Sequence, residues 1–387
     1  MPLFSSVKSY IGVDFDSNSI KLVELKNENG RPKLVTYGYI DREIDGLPKT
    51  DSNENVNELA KLIKQVWRKT KATTTKSITA LPSFSVFTSI LSLPQMSKKD
   101  LDSAVKWEAK KVIPLPAEEM ILDWKIIDDF DDRENKDKSK GEAIKEENNE
   151  NEEDVESKEE RNKGFLNIKS KDKSRNVKIL LTAAPRDLVK RYMEIFKHSG
   201  LTLLSLDTEP LALIRSLAYN DKSPLMIVDV GSVVTNISIV AGGIPILNRS
   251  LDIGGLTITK AIANSLNVSL NRAEQFKYDI GMNPRRSGQG SVPKTIEGVL
   301  IPIIDELKYS INLYKSQNKN NIEKIILTGG SSLLLNLPEY LSNILSLRVF
   351  LGDPWARVIY PEELKPVLDE IGPRFSIAVG LAMRNIE

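Results

Sequence analysis

Two stretches of this chain share one grammar. Ile11-Gly12-Val13-Asp14-Phe15-Asp16-Ser17-Asn18-Ser19-Ile20-Lys21 and Ile227-Val228-Asp229-Val230-Gly231-Ser232-Val233-Val234-Thr235 each run from an apolar strand to an aspartate, then through a hydroxyl-bearing turn into a second strand. A tight turn of this kind aims backbone N–H groups and Ser or Thr hydroxyls at one point, a nest suited to phosphate oxygens. An aspartate at the strand end can hold Mg²⁺, usually through its waters, because that ion keeps much of its hydration. Either loop alone is as readily an ordinary hairpin. Two of them a domain apart constrain the chain much more, since facing lobes can clamp β- and γ-phosphates between them.

A third element, Ile325-Ile326-Leu327-Thr328-Gly329-Gly330-Ser331-Ser332-Leu333, places Gly-Gly between a buried strand and a helix start. Two glycines let the backbone approach a ligand closely, and helix N-termini favour anions. The surrounding pattern predicts layered α/β architecture. Strands are expected at residues 34–40, 78–81, 85–91, 120–127 and 177–182, and helices at about 54–70 and from Ser97, the latter with Leu101, Val105 and Val112 on one face. A helix opened by Pro185 turns Leu188, Val189, Tyr192, Met193 and Phe196 to one side and stops at Gly200. The second half predicts helices near residues 256–266, 271–280, 295–318, 333–344 and 376–384. More than half of residues 131–175 are charged, which predicts a disordered insertion that cannot bury enough apolar surface to offset its ordering entropy.

Composition removes whole classes of chemistry. With no cysteine and one histidine, His198, there is no disulfide framework, no thiolate or histidine metal site and no Ser-His or Cys-His triad. His198 falls in a last helical turn, where a cation near the C-terminus is the simpler reading. The 54 basic and 53 acidic residues nearly cancel, so no overall field draws the chain onto nucleic acid. The first residues lack the apolar core of a signal peptide. Both long uncharged stretches, 77–97 and 230–248, are broken by Pro or Gly and alternate like strands, so no membrane span is expected.

The order of the Asp14 loop, the Asp229 loop, the Gly329-Gly330 turn and the terminal Ala378-Val379-Gly380-Leu381-Ala382 resembles the phosphate, adenosine and closing-helix motifs of the actin-like ATPases, which include the cell-division protein FtsA. Ala273-Glu274-Gln275-Phe276-Lys277 is similar to the helix whose Glu and Lys flank adenosine in several of them. Within that superfamily, Ala80-Leu81-Pro82, Trp107-Glu108-Ala109, Ile113-Pro114-Leu115-Pro116, Asp123-Trp124 and Asp207-Thr208-Glu209-Pro210 resemble the type IV pilus assembly protein family PilM.

The resemblance implies an α/β actin-like ATPase fold: two lobes, each a mixed sheet flanked by helices, plus an inserted α+β subdomain as in FtsA. Residues 1–81 are expected to form the first lobe, 82–206 the extra subdomain, 207–223 a connecting helix, 224–352 the second lobe with a helical part at about 254–322, and 353–387 the closing helices. It further implies a cytoplasmic scaffold with ATP and Mg²⁺ as ligands, peripheral to the inner membrane and its pilus motor complex. The scaffold would bind the N-terminal cytoplasmic peptide of PilN and have scope for self-association. Asp14 and Asp229 would position Mg²⁺ through water. Ser17, Asn18, Ser19, Lys21, Gly231, Ser232 and Thr235 would contact phosphates, and Gly329, Gly330, Ser331, Glu274 and Lys277 would frame the adenosine. Glu209, beside Asp14 and Asp229, is the candidate for orienting a hydrolytic water, in at most a slow ATPase. Two other readings stay open: an FtsA-like filament former, and a small-molecule kinase with Asp229 or Glu209 as base.

One departure stands out. The family turn reads Asp-x-Gly-Ser, whereas here Asp16 replaces the glycine, the residue best suited to a left-handed turn beside phosphate. At about 4 Å and an effective dielectric of about 20, its repulsion from one phosphate charge is ~4 kcal/mol. Either Asp16 turns away, or Mg²⁺ or Lys21 neutralises it, or nucleotide binding is weakened. Val234 stands where relatives often carry Thr, which removes a further hydroxyl.

Overall fold

Ile11, Val13, Ile20, Leu22, Val23 and Leu25 are all fully buried, so the first hairpin forms where apolar residues occupy both faces of its strands. The computed structural model describes residues 8–16, 18–42, 52–113, 115–127, 176–283, 292–318 and 320–386. Ser17 and the insertion expected at 131–175 lie outside the described residues.

The elements begin with β1 (Ser9–Phe15), β2 (Ser19–Glu28), β3 (Arg31–Asp41), α1 (Asn53–Lys69), β4 (Lys76–Leu81), β5 (Phe87–Pro94) and α2 (Lys98–Val112). They continue with β6 (Met120–Ile127), β7 (Asn176–Pro185), α3 (Arg186–Ser199), β8 (Thr202–Thr208) and α4 (Glu209–Leu217). The second half holds β9 (Leu225–Val230), β10 (Thr235–Ala241), β11 (Ile244–Leu251), α5 (Gly255–Leu266), α6 (Leu270–Ile280) and α7 (Val292–Gln317). It ends with β12 (Lys324–Thr328), α8 (Leu337–Leu345), β13 (Arg348–Leu351) and α9 (Lys365–Met383).

The repeat read from two short loops extends to whole sheets. One sheet runs β3-β2-β1-β4-β8 and another β11-β10-β9-β12-β13. In each, an antiparallel three-strand meander is followed by two strands parallel to its first member. A single core joins the two sheets through α4 and α9. It draws Val23, Leu25 and Ile78 from the first sheet, Leu225, Ile227 and Ile326 from the second, and Ala212, Phe375, Ala378 and Leu381 from the helices. Full burial of a side chain such as Ile78 or Leu381 contributes about 1.5–3 kcal/mol, so this seam holds the lobes as one body. Glycine sets its spacing: a Cβ on Gly12 would strike the Ala378 carbonyl, and one on Gly380 the Ala212 carbonyl.

The chain divides into two compact units, one of Met1–Thr88, Leu115–Ile121 and Ala183–Glu387, the other of Ser89–Pro114 and Leu122–Thr182. In the second, α2 starts at Ser97, whose hydroxyl accepts from the Asp100 N–H. Leu101, Val105 and Ala109 are its buried positions, while Val112 is exposed. The indole of Trp124 donates to Asp102 at 2.8 Å. A third sheet runs β5-β7-β6.

Several boundaries differ from the sequence expectation for physical reasons. The helix expected at 333–344 begins at Leu337, because Asn336 takes a left-handed φ of 62° and Pro338 suits a first turn. The closing helix, expected to start after Pro373, runs through it from Lys365. Met193 is exposed, and Ile195 takes the buried position on α3 instead. Gly200 ends α3 with φ 79°, as a left-handed cap. No helix among the described residues is long and apolar enough to cross a membrane.

Candidate functional site

The register of the first hairpin sets Asp14 opposite Lys21, and their side chains meet at 3.1 Å with both residues buried. Lys21 also reaches Asp16, at 2.8 Å. Asp16 turns back into its own loop. Its Oδ1 accepts from the N–H groups of Asn18 at 2.7 Å and Ser19 at 2.9 Å, and its Oδ2 from the Ser19 hydroxyl at 3.0 Å. Non-glycine residues with positive φ among those described are Asn29, Lys71, Asn220, Asn267, Asn336 and Ser346, so Asp16 sits without left-handed strain. The expectation that this position favours glycine for its backbone is thereby corrected: an Asx-type turn makes the bend.

The second loop keeps its glycine for close packing. A Cβ on Gly231 would press on the Val234 carbonyl at 2.8 Å, to which the Gly231 N–H donates at 3.0 Å. The Gly231 and Ser232 carbonyls accept from the Gly255 and Leu256 N–H groups at the start of α5. Thr235 is fully buried and gives its hydroxyl to the Ile253 carbonyl at 2.7 Å, so it anchors the loop from behind. Ser232 reaches across the lobes: its hydroxyl donates to Asn18 Oδ1 at 3.3 Å.

The Gly-Gly turn closes onto the second loop. Gly329 has φ 83° and ψ 165°, a region essentially reserved for glycine, and an added Cβ would collide with Asp229 Oδ1. Its N–H donates to the Pro373 carbonyl in α9, which also accepts from the Thr328 hydroxyl at 2.9 Å. That recruitment of Pro373 ties α9 to the turn. The Ser331 hydroxyl donates to the Gly231 carbonyl at 3.3 Å. Glu274 and Lys277 pair at 2.6 Å on α6, and the buried Lys277 ammonium also donates to the Thr259 hydroxyl and the Gly255 carbonyl. Gly330 lies beside Arg374, whose guanidinium donates to Asp41 at 2.7 Å.

Glu209 opens α4 and faces both lobes. Its Oε2 accepts from the Ser83 N–H at 2.9 Å, the Ser83 hydroxyl at 2.6 Å and Asn236 Nδ2 at 3.2 Å. Burial pushes its carboxyl up to about 8, the Ser83 bonds opposing and the charges of Asp229 and Asp14 adding. Asp229 is raised to about 7, first by burial and then by Asp14 and Asp16, with Lys21 and Asn236 opposing. Asp14 is raised by burial and by Asp16 against the pull of Lys21. For Asp16 burial works upward, but Lys21 and the Asn18 and Ser19 donors win and hold it below the usual carboxylate range.

Asp14, Asp16, Asp229 and Glu209 therefore share one electrostatic neighbourhood. Burial raises Asp14 and Asp229, and Asp14 adds to the shift of Asp229; a divalent cation relieves such crowded carboxylates, so their donor chemistry fits Mg²⁺. Among the described residues no group of three or more His, Cys, Asp or Glu side chains could hold a metal ion among themselves.

Some participants were not singled out in the sequence. Asn236 stands opposite Asp229 in the strand register, a signal that pairing the two strands would have supplied. The Gly254-Gly255 pair starts α5 against Ser331 and could have been noticed as a second Gly-Gly turn. Ser83 and Thr259 carry no local signal.

A sequence profile described as type IV pilus assembly protein PilM matches residues 12–155 and 158–386. Among solved structures, the chain is similar to one in a PilM-PilN type IV pilus biogenesis complex, with 25% identity, 98% of each chain covered and a TM-score of 0.75. It is also similar in fold to the ethanolamine utilization protein EutJ from Carboxydothermus hydrogenoformans, with 14% identity, 99% of this chain and 91% of that one covered, and a TM-score of 0.52. The architecture is the actin-like ATPase fold, two α/β lobes with mixed sheets. The cell division protein FtsA of Neisseria meningitidis serogroup B (strain ATCC BAA-335 / MC58) is 26% identical over 219 residues. That match covers 50% of each protein, so the chain spans about half the length of this curated relative.

Proposed function

The chain belongs to the type IV pilus assembly protein family PilM, and on that premise we propose that it is a nucleotide-binding scaffold of the inner-membrane pilus assembly complex, with the N-terminal cytoplasmic peptide of PilN as its partner. The likeness to a chain solved in a PilM-PilN complex supports the partner. The observation that carries the nucleotide is the meeting of two topologically equivalent loops whose aspartates, Asp14 and Asp229, are both buried and raised, Asp229 in part by the charge of Asp14.

In this reading ATP with Mg²⁺ is the ligand class and binding tunes the grip on the partner. Asp14 and Asp229 would hold the ion through its waters, and when bound it would supply positive charge against the phosphates. The Gly231-Ser232 loop receives the polyphosphate, and the Gly329-Gly330-Ser331 turn, joined to it by the Ser331 to Gly231 bond, borders the adenosine. Glu274 and Lys277 border the adenosine side. Glu209 carries its proton near neutral pH and is fixed by Ser83 and Asn236, which favours a part in coupling the lobes over one as a general base. The protein would work at the cytoplasmic face of the inner membrane, held there by its partner.

Two measurements test the halves separately. Equilibrium dialysis with labelled adenine nucleotide and Mg²⁺ should give saturable binding that Asp229→Ala weakens at least about tenfold. A variant that binds as well as the parent would remove Asp229 from the site. Co-expression with the PilN cytoplasmic peptide fused to a carrier should give co-elution in size exclusion. Separate elution of a folded chain would count against the partner.

A further inference from the structure

The first loop already contains an anion. In the hairpin between β1 and β2, the donors that a phosphate would use include, among the described residues, the Asn18 and Ser19 N–H groups, the Ser19 hydroxyl and the Lys21 ammonium. All four point to the Asp16 carboxylate, at 2.7, 2.9, 3.0 and 2.8 Å. A side chain that merely tolerated the loop would point to solvent and leave these groups to water. Asp16 instead has a negative φ, takes the bend through its own Oδ1, and shares Lys21 with the buried Asp14.

We propose that the Asp16 side chain is the resident anion of the first loop, and that the site consequently holds a nucleoside diphosphate more tightly than the triphosphate. The proposal rests on the nucleotide reading above and narrows it. Adenosine is assigned to the side of the Gly329-Gly330 turn, and that turn is bonded to the second loop through Ser331 and Gly231. A polyphosphate entering from there meets the second loop first. Only its outermost group reaches the first loop, whose tip touches the second at the Ser232 to Asn18 bond. That outermost group finds its donors taken. It also finds the carboxylates of Asp14, Asp16 and Asp229 together, with the Lys21 ammonium already paired to two of them. A ligand one phosphate shorter stays beside the second loop and the Gly-Gly turn, away from the Asp16 carboxylate, and avoids the contest.

Two substitutions separate charge from space. Asp16→Gly empties the seat and leaves Lys21 with Asp14 as its carboxylate partner. Asp16→Asn keeps an acceptor for the Asn18 and Ser19 N–H groups and removes the charge. Calorimetric titration of the full chain with ADP and with ATP, each with Mg²⁺, should show the parent binding ADP at least about tenfold more tightly. Asp16→Gly should raise ATP affinity at least about tenfold while moving ADP by less than about threefold, and Asp16→Asn should fall between. Thermal melting checks that both variants fold; if either does not, the ratio in the parent decides. Equal or tighter binding of ATP by the parent, or an unchanged ratio in both folded variants, overturns the proposal while the nucleotide reading stands. If no form binds either nucleotide, the nucleotide reading falls and takes this inference with it.

Discussion

Glu209 accepts three hydrogen bonds on one carboxyl oxygen, two from Ser83 and one from Asn236, in a neighbourhood already crowded with negative charge. Its raised pKa has a definite sign for stability. Between the ordinary value of 4.5 and about 8 the folded chain keeps a proton that the unfolded chain has released. The contribution is therefore whole below 4.5 and is lost progressively as pH rises to about 8, with Asp229 adding a loss of the same sign up to about 7. Melting curves should show the parent losing stability from about pH 5 to about pH 8 more steeply than Glu209→Gln, which has no proton to lose. Parallel slopes would mean that Glu209 is ionised in the fold. Gly329→Ala should cost about 1–3 kcal/mol in denaturant unfolding from its backbone region alone, and should weaken nucleotide binding because the new methyl displaces Asp229. At this scale Asp14, Asp229 and Glu209 were legible because an aspartate ending an apolar strand, or a Glu-Pro opening a helix, is a local pattern. Ser83, Asn236 and Thr259 were not, since each matters through a partner from another element. The direction taken by Asp16 was also hidden: the sequence left turning away, neutralisation and weakened binding all open, and the structure shows it held by Lys21 and the loop's own N–H groups.

Helices α4 and α9 cross where Gly380 meets the Ala212 carbonyl, and β1 lies against α9 where Gly12 meets Ala378. Both contacts are backbone to backbone, so neighbours cannot yield by rotating a side chain. Gly380→Ala should destabilise by about 3 kcal/mol or unfold the chain, whereas Gly243→Ala, with φ 79° but open space around its Cα, should cost about 1–2 kcal/mol. Chemical denaturation of the two variants side by side compares crowding with backbone strain, and equal losses would contradict the close crossing. Element existence followed from hydrophobic period and punctuation, as in α3 with its Gly200 cap. Boundaries followed less well where proline carried the argument. Pro373 looks like a stop, yet α9 continues through it, and its carbonyl accepts from Gly329 and Thr328 of the neighbouring turn. Pro338 with Asn336, by contrast, delayed α8 by several residues, because a left-handed asparagine followed by a first-turn proline sets a new start.

Across the whole molecule, the two five-stranded sheets share one strand order and meet along one apolar seam, so the candidate site lies where equivalent hairpin tips face each other. That duplication was legible from eleven residues of one loop and nine of the other because each carried strand, acid and turn together. Among the described residues, bonds that join the lobes near the site include Ser232 to Asn18 and Asn236 to Glu209. A ligand seated between the tips would add to these bonds, which is the physical route from nucleotide to partner. Such coupling is reciprocal, since a nucleotide that alters peptide affinity must be altered by the peptide to the same degree. The most direct test is calorimetric titration of the full chain with the N-terminal cytoplasmic peptide of PilN, without nucleotide and with saturating Mg²⁺ and ADP or ATP. The account predicts stoichiometric binding whose affinity shifts at least about fivefold between nucleotide states. Absence of peptide binding in every state would contradict it.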